Sequence, residues 1–379
     1  MTTLKQDFHM LDVAKTLKEL CRCYGPPGEE DEVVDYCRPI LERTCDRVWQ
    51  DEVGNLIGFI EGTSKREGDS VRIFAHLDEI SLIIKRIEED GQIRVDPLGG
   101  IYPSLLGAGP LEILGRKERQ MGVLGIGSVH ISEESSPAWE TQPFGGNKAM
   151  EWHHTRVFTG LTRQQLYDKG IRAGTRVVLP HDRRTFTELD DYWGAFFFDD
   201  RVAVAAVLSM ISEMKELNEK PFPDLYIVFT VEEEVGAHGA KFASRTIPGT
   251  LTIGLEVGPA EKEYSVDFNA SPIIVYRDEE ALYDRRVANH FLDLADSIGL
   301  HVQTATFSTY KSDASHAKSI GYSPFSTLLC LPTMNTHGYE IVHKQALPNL
   351  VTLMKSFFVG KDCGSLLERF CGADTRSLY

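Results

Sequence analysis

A chain of 379 residues, 42% of them hydrophobic, can bury a large core and is too apolar to be disordered; one large domain and a smaller one are expected. Its 40 lysines and arginines face 56 acids, a net charge of −16 with no basic cluster, which excludes nucleic acid and anionic membrane surfaces as expected partners. No apolar run is long enough to span a bilayer, the stretch 1–10 lacks a secretory core, and seven cysteines fit reduced thiols, so the expected compartment is the cytoplasm.

Leu11 to Tyr24 has helical spacing and stops at Gly25-Pro26-Pro27-Gly28, which cannot continue a helix. A second helix is expected over Glu30 to Glu42, with Val33, Val34, Cys37, Ile40 and Leu41 on its apolar face. Cys21, Cys23, Cys37 and Cys45 match no paired zinc-knuckle spacing, which sets a zinc cluster aside. Val48 to Ile60 reads as a hairpin turning at Gly54-Asn55. Val71 to Ala75 is a buried-type strand running into His76-Leu77-Asp78-Glu79.

From Ile80 to about Pro180 the texture changes to short alternating strands and turns, as in a small all-β insert. A hairpin is expected about Asp90-Gly91, a strand over Met121 to Val129, an exposed loop over Ile131 to Thr155, a short helix over Gln164 to Lys169 and a strand over Thr175 to Leu179. Gly99, Gly100, Gly107 and Gly109 lack the context of a dinucleotide fingerprint and read as turn glycines. His153-His154, without carboxylate partners in view, reads as solvated.

At Phe196 to Arg201 the chain re-enters the large domain, and Asp199-Asp200 opens a helix running to about Leu217. The helix dipole explains one such acid; two directly after three phenylalanines are more than a cap needs. Leu225 to Val231 is an apolar strand followed at once by Glu232-Glu233-Glu234, with Gly236 and Gly239 turning the chain into a helix. Adjacent carboxylates at the end of a buried strand repel each other. A divalent cation is the simplest compensation, and it leaves one acid free to act as a base. Strands follow at Thr250 to Leu255, ending in Glu256, at Ile273 to Tyr276 and, as an edge, at Thr304 to Ser308; Ala288 to Ile298 is a helix. Asp313 opens another helix, Pro324 to Cys330 is a strand giving way to a loop that carries His337, and Asn349 to Phe358 closes the domain.

In open α/β sheets the carboxyl ends of the strands share one rim, where ligands bind. His76, Asp199, Glu233, Glu234, Glu256 and His337 are thus expected in one crevice. Two imidazoles and several carboxylates without a thiolate suit a pair of zinc-like or cobalt-like ions bridged by one carboxylate.

AHLDE at Ala75–Glu79, DDR at Asp199–Arg201, EEVGAHGA at Glu233–Ala240 and His337 after a Pro-Thr turn resemble metallopeptidase family 42, the tetrahedral aminopeptidases with glutamyl- and leucyl-aminopeptidase-like members. The likeness extends to YGPPGEEDEV, DEVGNLIG, DPLGG, GVLGIGSVH and SDA, and so covers nearly the whole chain. It implies a zinc-peptidase-like α/β fold with a mixed, mostly parallel sheet flanked by helices, residues 1–80 and 185–379 forming the catalytic domain and 81–184 a β-rich dimerisation insert. It implies two divalent metals, zinc or cobalt, on His76, Asp199, Glu234, Glu256 and His337, with Asp199 bridging. Asp78 would orient His76 through its second nitrogen. Glu233 would be the general base that moves a proton from a bridging water to the leaving amine. Peptide substrates and homo-oligomers, dimers that assemble into dodecamers, are implied as well. The chain departs from the family's usual residues at Lys311-Ser312, Gly338-Tyr339, Glu256 and Glu232. Two other readings remain open at this point, a metal-dependent deacylase of N-acyl amino acids or small amides and a non-catalytic binding or assembly protein that keeps the metal site. A cellulase reading is set aside, since paired glycosidase carboxylates need no histidines.

Overall fold

The structure, a computed structural model, describes residues 11–66, 68–360 and 362–371. The stretch 1–10, read above as lacking a secretory core, lies outside the described residues. Alternation along three strands, Ser70–His76, Asp224–Thr230 and Leu251–Pro259, builds the centre. Val71, Ile73, Ala75, Leu225, Ile227, Phe229, Leu251, Ile253 and Leu255 all enter one apolar layer, while Phe74 and Val228 enter another on the opposite face. Covered on both faces, such strands read as nearly continuous apolar runs.

These three and Phe325–Met334 run parallel. They sit inside an 11-stranded sheet whose margins, among them Arg47–Gln50, Leu56–Ile60 and Tyr339–His343, are antiparallel. Six helices cover one face, centred on Phe198–Glu216 with Val13–Arg22, Asp31–Thr44, Arg285–Ser297, Ala346–Val359 and Asp362–Cys371 around it. Two shorter helices, His238–Thr246 and Asp313–Ser319, cover part of the other. By alternation His76 and Glu256 point to that thinly covered face.

The expected all-β insert is a closed six-stranded barrel of Ser81–Ile87, Ile93–Leu98, Arg156–Phe158, Gln120–Gly125, Gly109–Ile113 and Arg176–Val178. Leu82, Ile84, Ile93, Val95, Leu111, Ile113, Leu124, Val157 and Val177 fill its interior.

Several boundaries move for tertiary reasons. The strand expected to end before Glu256 continues to Pro259, because it pairs with Phe325–Met334 as far as Pro259↔Thr333. Its pairing with Ser70–His76 stops at Gly254↔Phe74, which opens a gap beside Glu256. The strand expected over Met121 to Val129 stops at Gly125, and the following loop carries three short 3-10 turns. His153 is exposed and faces a carboxylate, Glu151, at 3.1 Å. His154 is not solvated but 3% exposed, its Nδ1 accepting from the Glu151 N–H at 3.0 Å. Asn349 to Phe358 does not close the domain: Asp362–Cys371 follows and seals the core with Cys363, Leu366, Leu367 and Phe370. The six described cysteine side chains are free thiols, with Cys21, Cys37 and Cys45 packed in the core.

Sheet and barrel are stapled where the chain crosses between them. Glu79, fully buried, accepts from Arg184 Nη1 and Nη2 at 2.9 and 2.5 Å and from Arg201 Nη2 at 3.1 Å, and both arginines are fully buried too. Arg184 also donates to the carbonyls of Cys23 and Leu179 at 2.9 and 2.8 Å.

Candidate functional site

The turn after Asp224–Thr230 leaves the sheet with four main-chain N–H groups that no strand can pair, and buried donors must be satisfied. Side chains from three distant segments accept them in succession. Val231 donates to Asn55 Oδ1 (3.1 Å), Glu232 to Glu30 Oε1 (3.2 Å), Glu233 to Asp78 Oδ1 (2.9 Å) and Glu234 to Asp78 Oδ2 (3.0 Å). Gly239 is required here, since a Cβ would sit 2.2 Å from Asn55 Oδ1 and 2.6 Å from the Val231 main chain. Glu232, Ala237 and His337 lie in the left-handed region (φ 55°, 53° and 61°), where non-glycine residues are strained. Some of the chain's backbone strain thus lies in the turns that aim these side chains.

His76, Asp199, Glu233, Glu234, Glu256 and His337 meet, as their strand-end positions predicted. Asp199 stands in the middle: its Oδ1 is 2.9 Å from His76 Nε2, and its Oδ2 is 3.3 Å from His337 Nε2. Glu256 Oε1 lies 3.6 Å from His76 Nε2, and Glu234 Oε1 lies 3.9 Å from His337 Nε2. Each oxygen of Asp199 therefore faces its own imidazole, and each imidazole a further carboxylate. Ligand atoms of His76, Asp199 and Glu234, and likewise of His76, Glu233 and Glu256, lie within 4.8 Å of one another. Asp199, Glu233, Glu234, Glu256 and His337 open on a cavity of about 370 Å³, bounded also by Gly100, Tyr310, Lys311 and His316. His76 Nδ1 faces the carbonyl oxygen of Asp78 at 3.1 Å, closer than its carboxylate at 3.4 Å. The Asp78 carboxylate also accepts from the Glu233 and Glu234 N–H groups.

A family model described as M42 glutamyl aminopeptidase matches residues 54–353. The chain belongs to the M42 glutamyl aminopeptidase family. Among curated relatives, the lysyl aminopeptidase of Pyrococcus furiosus is 32% identical over 236 residues; the match spans 62% of this chain and 62% of that protein, less than two thirds of its length. Among solved structures, an aminopeptidase from the archaeon Desulfurococcus kamchatkensis superposes with a TM-score of 0.81 at 26% identity, over 93% of this chain and 97% of that one. The TET1 peptidase of Pyrococcus horikoshii, which can assemble into a tetrahedron or a large octahedral shell, has the same fold (TM-score 0.79, 23% identity, 92% and 99% covered).

M42 membership implies the use of divalent metal, and this chain's residues fit it. Glu234 Oε1, Asp200 Oδ1 and Asp313 Oδ1 are buried without a hydrogen-bond partner, and the Glu234 side chain is only 4% exposed. Buried acceptors facing one another in this way need either a cation or protons. Without cations the charges distribute unevenly. His337 is pushed up to about 11, chiefly by the Glu234 carboxylate. Burial opposes a charged His76, yet Glu256, Asp199 and Asp78 hold its pKa well above the usual value. Burial works to raise Asp199, but its bonds to His337 and His76 hold it below the usual carboxylate range. Burial pushes Glu234 and Asp313 up to about 7 and Glu340 up to about 8.

These last three bind protons more tightly folded than unfolded. The stability they contribute is full below their unfolded pKa values and is lost as pH rises through about 7 to 8. Chelator-treated protein should accordingly melt at a lower temperature at pH 8 than at pH 5, and added zinc should remove most of that slope. A flat profile for the metal-free protein in thermal unfolding would refute this account.

Sequence reasoning assigned no role to three residues of this cluster, Glu340, Asn55 and Gly100, and marked Asp200 only as an acid beyond what a helix cap needs. Glu340 accepts from the His337 N–H and the Asp199 N–H, both at 3.0 Å, and so fixes two ligand-bearing segments to each other. An acid three residues after a turn residue is capping-box spacing, the one signal that could have found it. Asp200 Oδ2 accepts from the His76 N–H at 3.2 Å. Asn55, fully buried, holds the Glu232–Glu234 turn by both ends of its amide, its Nδ2 donating to the Gly239 carbonyl at 3.0 Å. Gly100, seen only as a turn residue, turns its carbonyl oxygen to His337 Nδ1 at 3.0 Å.

Proposed function

We propose that this chain is a metal-dependent aminopeptidase that removes N-terminal residues from peptides, with two divalent cations per subunit, zinc or cobalt, as cofactors. The observation that carries the reading is Asp199, with one carboxylate oxygen toward His76 and the other toward His337. His76 and Glu256 would hold one cation, His337 and Glu234 the other, and Asp199 both. Bound there, the cations would polarise the scissile carbonyl and lower the pKa of the attacking water.

The chain's own groups do the rest. Glu233 takes the proton of the attacking water and returns it to the departing amine. Asp78 fixes that base by binding the N–H groups of Glu233 and Glu234, and its main chain orients His76. Residues 1–80 with 185–379 act as the catalytic domain and 81–184 as a dimerisation insert, in a homo-oligomer built from dimers with a dodecamer as its larger form. The six free thiols support a cytoplasmic location, and no helix among the described residues is long and apolar enough to cross a membrane.

Aminoacyl anilides should be hydrolysed and their N-acetylated counterparts left intact. Chelation should abolish turnover, zinc or cobalt should restore it, and elemental analysis should find two ions per chain. Preferential cleavage of the acetylated series would favour a deacylase; bound metal with no hydrolysis across a broad panel would favour a non-catalytic protein.

A further inference from the structure

A second cavity, of about 490 Å³, adjoins the first and shares Gly100 with it. It lies wholly on the barrel side, and its walls include Pro97, Ile101, Tyr102 and Trp152 together with Asp96, Glu151 and His153. Between the two cavities the chain is Gly99-Gly100, which adds no side chain of its own where they meet, and the His337 ring and the Glu234 carboxylate lie against these glycines. Gly99 cannot carry one: at φ +87° a Cβ would lie 2.7 Å from Glu234 Oε2. Trp152 is fixed in place by its Nε1–H, which donates to the Ile101 carbonyl at 2.8 Å. Tyr102, two residues from Gly100, is 67% exposed. The acids at the groove's rim face their own partners, Asp96 to Lys85 at 3.0 Å and Glu151 to His153 at 3.1 Å. Beyond these paired charges, what the groove offers a ligand is apolar and aromatic surface continuous with the catalytic cavity.

We propose that this groove binds the part of the peptide beyond the scissile bond and favours an apolar or aromatic second residue, which lies against Tyr102 and Trp152. The proposal rests on the aminopeptidase reading. An extended peptide advances about 3.3–3.6 Å per residue, so the residues directly after the cleaved bond cross the glycine floor and reach Tyr102. Selectivity of this kind comes from burial against a preformed surface, where aromatic side chains contribute most.

The test uses metal-loaded protein and the N-terminal residue that it cleaves best, presented three ways: as the amino-acid amide, ahead of Phe-Ala and ahead of Gly-Ala. The Phe peptide should exceed the Gly peptide by about 10-fold in kcat/KM, mainly through KM. Tyr102→Ala should erase that ratio, Tyr102→Phe should keep it, and both should hydrolyse the amide at the unsubstituted rate. Equal kcat/KM for the two peptides, or a Tyr102→Ala protein that keeps the preference, overturns the proposal. A Tyr102→Ala protein that keeps the preference but changes its mass in light scattering would assign the groove to a contact between copies. If neither the amide nor any peptide is cleaved, the aminopeptidase reading fails and this proposal with it; if the amide is cleaved without a Phe preference, only this proposal fails.

Discussion

Glu233→Gln is expected to hydrolyse aminoacyl anilides about 10³-fold more slowly than the unsubstituted protein while binding as much metal, the loss typical of removing a positioned general base. Three features single out this carboxylate. Its main chain is held at 2.9 Å by Asp78, so the group is fixed independently of any cation. It opens on the same cavity as Asp199, Glu234, Glu256 and His337, four of the five proposed ligands. Burial, then the charges of Asp313 and Glu234, push its pKa well above the usual carboxylate range against the pull of His76. Glutamine has the same shape and cannot accept the proton, so the readouts are kcat on an anilide and metal content on the same sample. Unchanged turnover would remove Glu233 from the role of base; lost metal would make it a ligand instead.

Glu79→Ala should destabilise the protein by about 3–5 kcal/mol, because it leaves two buried guanidinium groups without their common counter-charge. Arg184 and Arg201 are fully buried, and their remaining acceptors are neutral carbonyls. Folded domains are stable by only about 5–15 kcal/mol, so the change should be plain in denaturant unfolding. Replacing all three residues by apolar ones of similar size should cost much less than the single substitution, since the penalty comes from the unpaired charge. A loss under about 1 kcal/mol for Glu79→Ala would mean that water reaches the arginines and that the staple is ornamental.

Much of the site was legible because the chemistry sits where apolar runs stop. His76, Asp199 and Glu234 announce themselves as polar residues directly after buried strands or phenylalanines, and the rim rule brings them together. Glu256 was identified as a residue but misplaced as a strand end, since only its partner strand reveals that pairing runs on to Pro259. Glu340 lies in a five-residue strand with no distinctive pattern, and its importance comes from two N–H groups, one of them 141 residues away in the chain. Asn55 and Glu30 stand inside recognised motifs, but neither spacing nor residue type says that they pair with a turn near residue 232. Gly100 acts through a carbonyl, and main-chain oxygens leave no trace in a sequence. The missed helix Asp362–Cys371 is different in kind. Cys363, Leu366, Leu367 and Phe370 have ordinary helical spacing, and that pattern is readable in the chain.

The Gly100 contact sets a limit on how this protein can be taken apart. One ring nitrogen of His337 is anchored by the main chain of the barrel insert. A minimal version with the barrel excised, or a chimera bearing a relative's barrel, forfeits or relocates that anchor even when every acidic and imidazole side chain is retained. The workable unit for transplantation is thus larger than the catalytic layer, and its smallest extent includes the Gly99-Gly100 turn.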